Sequence, residues 1–215
     1  MSRPTVTPGS SWRPLGKVAE SIFVGLAPSR REPPPGNRSA VLPVINARDL
    51  ADGRLAPAGS LEVRRLPSED AADRYRVRRG DIVLTCRGTL LKLALVPPEA
   101  DGAVLSSNLI AIRCGPDLAA PVLLAFLDSP RGRAALLGDN RTSTVGLGLS
   151  PASVARIEVP VPTREAGQRI AELVDAADRC HAAAIDSARL RRALAREVAM
   201  SMLVGPANRG PSRRR

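Results

Sequence analysis

The sequence predicts an α+β protein: a curved, β-rich domain with short helices, followed by one long C-terminal helix of coiled-coil type. Two observations carry this. Between Val41 and Ile112, short apolar or alternating runs follow one another, VLPVIN, LEVRRL, RYRVRRGDIVLTC, LKLALV and NLIAIRC, separated by the turn signals DGR, GD, RGT and ADGA. From Glu165 to Val204, by contrast, there is no proline, glycine occurs only at Gly167, and alanine, arginine and leucine dominate, all residues of high helix propensity.

Taken in order, residues 1–11 are rich in Ser, Thr, Pro and Gly and read as a disordered tail. The domain is expected to span 12–164. Its first stretch, LGKVAESIFVG within Trp12 to Leu26, is amphipathic and is expected to form one helix and a strand. SRREPPPGNRS then reads as a loop, because three consecutive prolines exclude helix, and Arg30, Arg31 and Arg38 make it positive. The β-rich region follows, with strands at a spacing that suits a compact, strongly curved sheet. In PVLLAFLDSPRGRAALL the apolar residues fall three and four apart, with a break at Ser129-Pro130, which predicts two short helices. DNRTSTVGLGLS is a polar, glycine-containing loop, and ARIEVPVP returns to strand.

Residues 165–204 are expected to make a single helix. Ile170, Leu173, Ala177, Cys180, Ala184, Leu194 and Val198 follow heptad spacing, with gaps at Ser187 and Arg191. About 40 residues at helical rise give a rod of roughly 60 Å, longer than the domain needs to cover its own core. Residues 205–215 form a basic tail, read as disordered.

Composition limits the functions available. A chain of 215 residues, 44% of them hydrophobic, can fill one real core plus an extension. The net charge is +11, and of 32 basic residues only Lys17 and Lys92 are lysine. An excess of this sign favours a polyanionic partner, since each neutralised phosphate releases a counterion. The preference for arginine over lysine is also what a GC-rich genome writes, so net charge is the better evidence. Cys86, Cys114 and Cys180 are far apart and lack the paired spacing of a zinc site or disulfide framework, which fits a reducing, cytoplasmic setting. No apolar run approaches the roughly 20 residues needed to span a bilayer, and the N-terminus lacks the apolar core of a signal peptide. Only Trp12, Phe23, Tyr75 and Phe126 are aromatic, a poor supply of stacking platforms for single strands. Duplex DNA suits the composition better.

No catalytic constellation is recognisable, and no cofactor is expected. His181 is the lone histidine and lies within the long helix, away from any nucleophile-like turn. Gly146-Leu147-Gly148 lacks the third glycine of a dinucleotide loop and reads as a turn. The Asn/Asp-Pro-Pro-aromatic motif of an adenine methyltransferase is missing, and Asp81 has no acidic companion at the spacing a metal-dependent nuclease needs.

The ordered series GDIVLTCRGTLLKLALV, SSNLIAIRC, APVLLAFLDSPRGRAALL and LSPASVARIEVPVPTREAGQRIAELV resembles one half of the specificity (S) subunit of type I restriction-modification systems. The last string is similar to that family's junction, where a strand ending in Pro-x-Pro leads through Glu165 and Gln168 into a helical spacer. The resemblance covers about Trp12 to Val204. It implies a non-catalytic subunit whose target recognition domain reads a few base pairs of double-stranded DNA and directs a separate DNA adenine methyltransferase, with or without a restriction nuclease subunit, in phage defence. A full subunit carries two recognition domains and two helices, whereas this chain has one of each, so a homodimer through the C-terminal helix is expected. The residues alone also fit a stand-alone DNA-binding or scaffold protein of another defence system, or an oligomerisation protein.

Within that resemblance the candidate DNA-binding residues are Arg48, Arg87, Thr89, Lys92, Asn108, Arg141, Thr142, Ser143 and Thr144. A guanidinium can bind guanine O6 and N7 or grip a phosphate, while Lys92 offers a point charge suited to phosphate. Each position has a plainer reading. Arg87 fits a solvated turn, Asp49 in Asn46-Ala47-Arg48-Asp49 fits a turn cap, and Ser106-Ser107-Asn108 fits a turn before a strand. Arg87 and Arg141 to Thr144 rank first, because a run of polar side chains in a loop buries nothing.

Overall fold

The computed structural model describes residues 10–27, 40–66, 72–138 and 146–204. The chain divides into two units, 1–172 and 173–215. In the first, β1 (Ser11–Pro14) leads through a 3-10 turn at Leu15–Lys17 into β2 (Ala19–Val24), and β3 (Ala40–Ile45) leads through a second turn at Ala47–Asp49 into the hairpin β4 (Leu50–Ala51) and β5 (Arg54–Leu55). That hairpin turns at Asp52-Gly53, both with positive φ, as the DGR signal requires. After β6 (Glu62–Leu66) come β7 (Ile82–Thr85), β8 (Arg87–Gly88), β9 (Leu93–Leu95), β10 (Val104–Leu105) and β11 (Leu109–Cys114). Helices α1 (Ala120–Asp128) and α2 (Pro130–Leu137), strand β12 (Leu147–Gly148), helix α3 (Pro151–Ala155) and strand β13 (Glu158–Val161) precede α4 (Arg164–Val204).

The scaffold is the four-stranded antiparallel sheet β2-β11-β7-β9. Its central strands are covered on both sides, which is why their sequences read as continuous apolar runs. Ile82, Leu84, Ile110 and Ile112 join Leu15, Val18, Leu123, Leu127 and Leu136 in one cluster. Val83, Ala94, Leu109 and Ala111 join Ile45, Leu50 and Leu105 in another. Each buried Val, Leu or Ile side chain among them contributes about 1.5–3 kcal/mol of transfer free energy. A second sheet, β10-β3-β6, pairs β3 parallel to β10 and antiparallel to β6. β1 pairs with β13, placing Trp12 opposite Pro160.

The expected helical break falls at Ser129-Pro130. The Ser129 hydroxyl donates to the Phe126 carbonyl at 2.6 Å and accepts the Gly132 N–H at 3.2 Å, capping α2 while Pro130 fills its first turn. Trp12 packs edge-on against Phe126 with ring centroids 5.7 Å apart. The expectation of a helix in the first stretch is corrected. Leu15 and Val18, three residues apart and both buried, lie in and just after a single 3-10 turn rather than in an α-helix, and strand begins at Ala19. Gly146-Leu147-Gly148, read as a turn, contributes strand β12 against β8.

α4 is capped by Thr163, whose hydroxyl accepts the Ala166 N–H at 3.3 Å. Its exposed face carries the i,i+4 pair Glu165–Arg169 at 2.7 Å and the bond from Gln168 to Glu172 at 3.1 Å. No helix among the described residues is long and apolar enough to cross a membrane.

Candidate nucleic-acid interface

One end of the main sheet gathers most of the candidate DNA-binding residues. There β7 ends at Thr85, β9 begins at Leu93 just after Lys92, and β11 begins at Leu109 just after Asn108. The Cys86 N–H donates to the Asn108 carbonyl at 2.9 Å, so Arg87 and Asn108 emerge side by side.

Thr85 closes the loop between β7 and β9. It is 2% exposed, its hydroxyl donates to the Leu90 carbonyl at 2.7 Å, and the same oxygen accepts the Lys92 N–H at 2.9 Å. Arg133 of α2 adds a bond from Nη1 to the Leu91 carbonyl at 3.2 Å. With its base held in this way, the loop presents Arg87, Gly88, Thr89 and Leu90 exposed. Neither Thr85 nor Arg133 was singled out from sequence. The available signal was a lone hydroxyl ending the apolar run of Ile82 to Leu84.

The loop is braced from the side by β12. Leu147 pairs with Gly88 and Gly148 with Arg87. Gly88 and Gly146 have φ of +109° and +115°, and a Cβ at Gly146 would stand 2.7 Å from the Gly88 carbonyl oxygen. Both positions therefore require glycine. Arg141, Thr142, Ser143 and Thr144 lie outside the described residues.

Arg48 sits on the 3-10 turn after β3, beside the same end of the sheet, because Lys92 Nζ donates to the Ala47 carbonyl at 3.2 Å. The turn-cap alternative for Asp49 is realised: its carboxylate accepts the Asn46 N–H at 2.7 Å. Ser106 to Asn108 likewise form the turn into β11, with the Asn108 side chain left exposed.

The charges at the two ends of the sheet differ in their partners. At the end where β7 begins and β11 finishes, arginines meet carboxylates: Arg13 with Asp117 at 2.8 Å, Arg76 with Asp73 at 2.9 Å, Arg78 with Glu20 at 3.6 Å and Arg113 with Asp81 at 2.7 Å. At the opposite end, among the described residues, Arg87 meets no carboxylate and Lys92 meets only a carbonyl oxygen, whereas Arg48 meets Glu62 and Asp49 and Arg133 meets Asp128 at 2.6 Å. Burial raises the Cys86 thiol above its ordinary value, partly offset by the Arg87 charge beside it. No group of His, Cys, Asp and Glu among the described residues could hold a metal ion.

On α4, the stripe residues Ile170, Leu173, Ala177, Cys180, Ala184, Leu194 and Val198 are exposed in the single chain, and so is Leu190. The helix carries seven basic and six acidic side chains, so the positive excess lies elsewhere in the sequence.

The fold is similar to part of the fold of solved type I S subunits. No family model and no curated protein matches the sequence. Among solved structures, the chain is similar to the HsdS subunit from Thermoanaerobacter tengcongensis, with a TM-score of 0.61 and 21% identity, over 97% of this chain and 53% of that one. It is also similar to a chain from work on complex assembly and conformational transition of the type I R-M system, with a TM-score of 0.57 and 19% identity, over 94% of this chain and 45% of the other. A third similar structure is the type I restriction-modification S subunit from M. genitalium, with a TM-score of 0.50 and 14% identity, over 87% and 44%. The chain thus spans about half the length of the solved chains whose fold it shares.

Proposed function

We infer that this chain is a non-catalytic DNA-recognition subunit of a type I-like restriction-modification system, which reads a short duplex sequence and brings a separate adenine methyltransferase to it. The observation that carries the reading is the convergence of Arg87, Thr89, Lys92 and Asn108 at one end of the sheet, around a loop fixed by Thr85, where among the described residues neither Arg87 nor Lys92 meets a carboxylate. A rigid scaffold holding forked donors outward suits base edges, and a point charge beside them suits phosphate. Specificity-subunit architecture, shared with the solved chains, supports the assignment.

One recognition domain reading a few base pairs recurs too often in a genome to direct an enzyme, so a second half-site is needed. A second copy, paired antiparallel through the exposed stripe of α4, supplies it. The target is then a split palindrome whose gap is set by helix length. The host methylome with and without this gene is the test. Loss of methylation at one split, two-fold-symmetric motif supports the reading, and an unchanged methylome opposes it, favouring a stand-alone DNA-binding protein.

A further inference from the structure

A carboxylate lies among the cations next to the recognition loop. Glu62 begins β6, and the register Val44 opposite Glu62 brings it to the turn that holds Arg48. Arg48 Nη2 donates to Glu62 Oε2 and Arg64 Nε to Glu62 Oε1, each at 2.5 Å, and Asn46 Nδ2 approaches Oε2 at 3.4 Å. Asp49 adds a longer contact to Arg48 at 3.8 Å. The Arg64 hydrogen bond, with the charges of both arginines, holds the Glu62 carboxyl below its ordinary value of 4.5 despite some desolvation. Around neutral pH Glu62 is therefore ionised, and both guanidiniums already have an anionic partner.

We propose that Glu62 is a specificity-determining residue of the duplex-binding surface, an internal anion that withholds Arg48 and Arg64 from arbitrary phosphates. This rests on the DNA-recognition reading. Specificity is a difference between affinities, and a contact that is already satisfied in the free protein gains little from a non-cognate backbone. Arg48 and Arg64 then engage only where a cognate site offers more than Glu62 does. Arg48 is thus exposed beside Lys92 yet paired, while Arg87, also exposed, meets no carboxylate among the described residues.

The test measures binding of the full chain to random-sequence duplex across a salt series. Glu62→Gln keeps the shape and removes the charge. It should tighten random-duplex binding and steepen the log–log salt slope by about 0.9 for each guanidinium freed, roughly a 3.5-fold greater loss per fourfold rise in salt. Arg48→Ala in the wild-type background should change that slope by less than one contact's share, because Glu62 already holds the guanidinium. In the Glu62→Gln background the same substitution should remove one contact's share of the gain. An unchanged or shallower slope in Glu62→Gln overturns the proposal, and so does loss of a full contact's share, about 0.9, on Arg48→Ala alone, a result that holds even where Glu62→Gln folds poorly. A wild-type chain with no salt-sensitive duplex binding defeats the recognition reading and this proposal with it.

Discussion

Replacing Arg113 by methionine should destabilise the first unit by about 3–5 kcal/mol, the range for stranding one partner of a buried ion pair. Asp81 is 2% exposed, and Arg113 holds it with two bonds, Nε to Oδ1 at 3.0 Å and Nη2 to Oδ2 at 2.7 Å. Without Arg113, the carboxylate keeps the Arg78 N–H at 2.8 Å as its remaining donor. The side chain of Arg113 is itself only 16% exposed, so solvent screening does not discount the pair. For a chain of this size, each kcal/mol corresponds to about 2–4 °C in Tm, so the loss is well within the reach of denaturant or thermal unfolding. Trp12, packed on Phe126, provides the fluorescence signal. Asp81→Asn in the same chain removes the orphaned charge and should recover part of the loss. A cost below about 1 kcal/mol, the ordinary surface-pair value, or a double variant no better than Arg113→Met, would refute the reasoning. Because this pair lies at the end of the sheet away from Arg87, its loss should act on stability rather than on sequence preference.

Three further predictions concern the thiols and the long helix. Native protein at pH 8 should be alkylated at Cys180 alone, since Cys180 is exposed while burial raises Cys86 and pushes Cys114 up to about 12; labelling of Cys114 at the unfolded rate would contradict the packing. Between the ordinary Cys114 value of 9.0 and about 12, the unfolded chain releases a proton that the folded chain keeps, so stability should fall as pH rises through that window. Light scattering should give a dimer at micromolar concentration or with the methyltransferase bound, and Leu173→Asp and Leu194→Asp should abolish it. A wild-type chain that stays monomeric with DNA and methyltransferase present would sink the paired-helix proposal.

What the sequence made legible depends on the range of the interactions involved. The long helix and the α1/α2 break were readable because helix propensity and a proline act within a few residues. α3 went unread, since five residues are too short to show a period. Its signal was local all the same: Ser150 before Pro151, with the Ser150 hydroxyl accepting the Ser153 N–H at 3.1 Å. The 3-10 turn at Leu15 imitated a helix because one turn places two apolar residues three apart. At the candidate interface, Arg87, Lys92 and Asn108 were readable as polar interruptions of apolar strands. The tie of Arg48 to Glu62 and Arg64 was not, because it exists only once β3 and β6 adopt their register. The pairing of Arg87-Gly88 with Leu147-Gly148 was hidden for the same reason, its two halves being some 60 residues apart in sequence.

The central claim, that this end of the sheet reads duplex sequence, is tested most directly by selecting bound duplexes from a random library with the wild-type chain, Arg87→Ala and Lys92→Ala. The wild type should enrich one defined motif. Arg87→Ala should lose preference at a single position at a cost of roughly 1–3 kcal/mol there, while Lys92→Ala should weaken binding to every sequence alike. No enriched motif from the wild-type chain, or identical sequence-independent losses in both variants, would contradict the account.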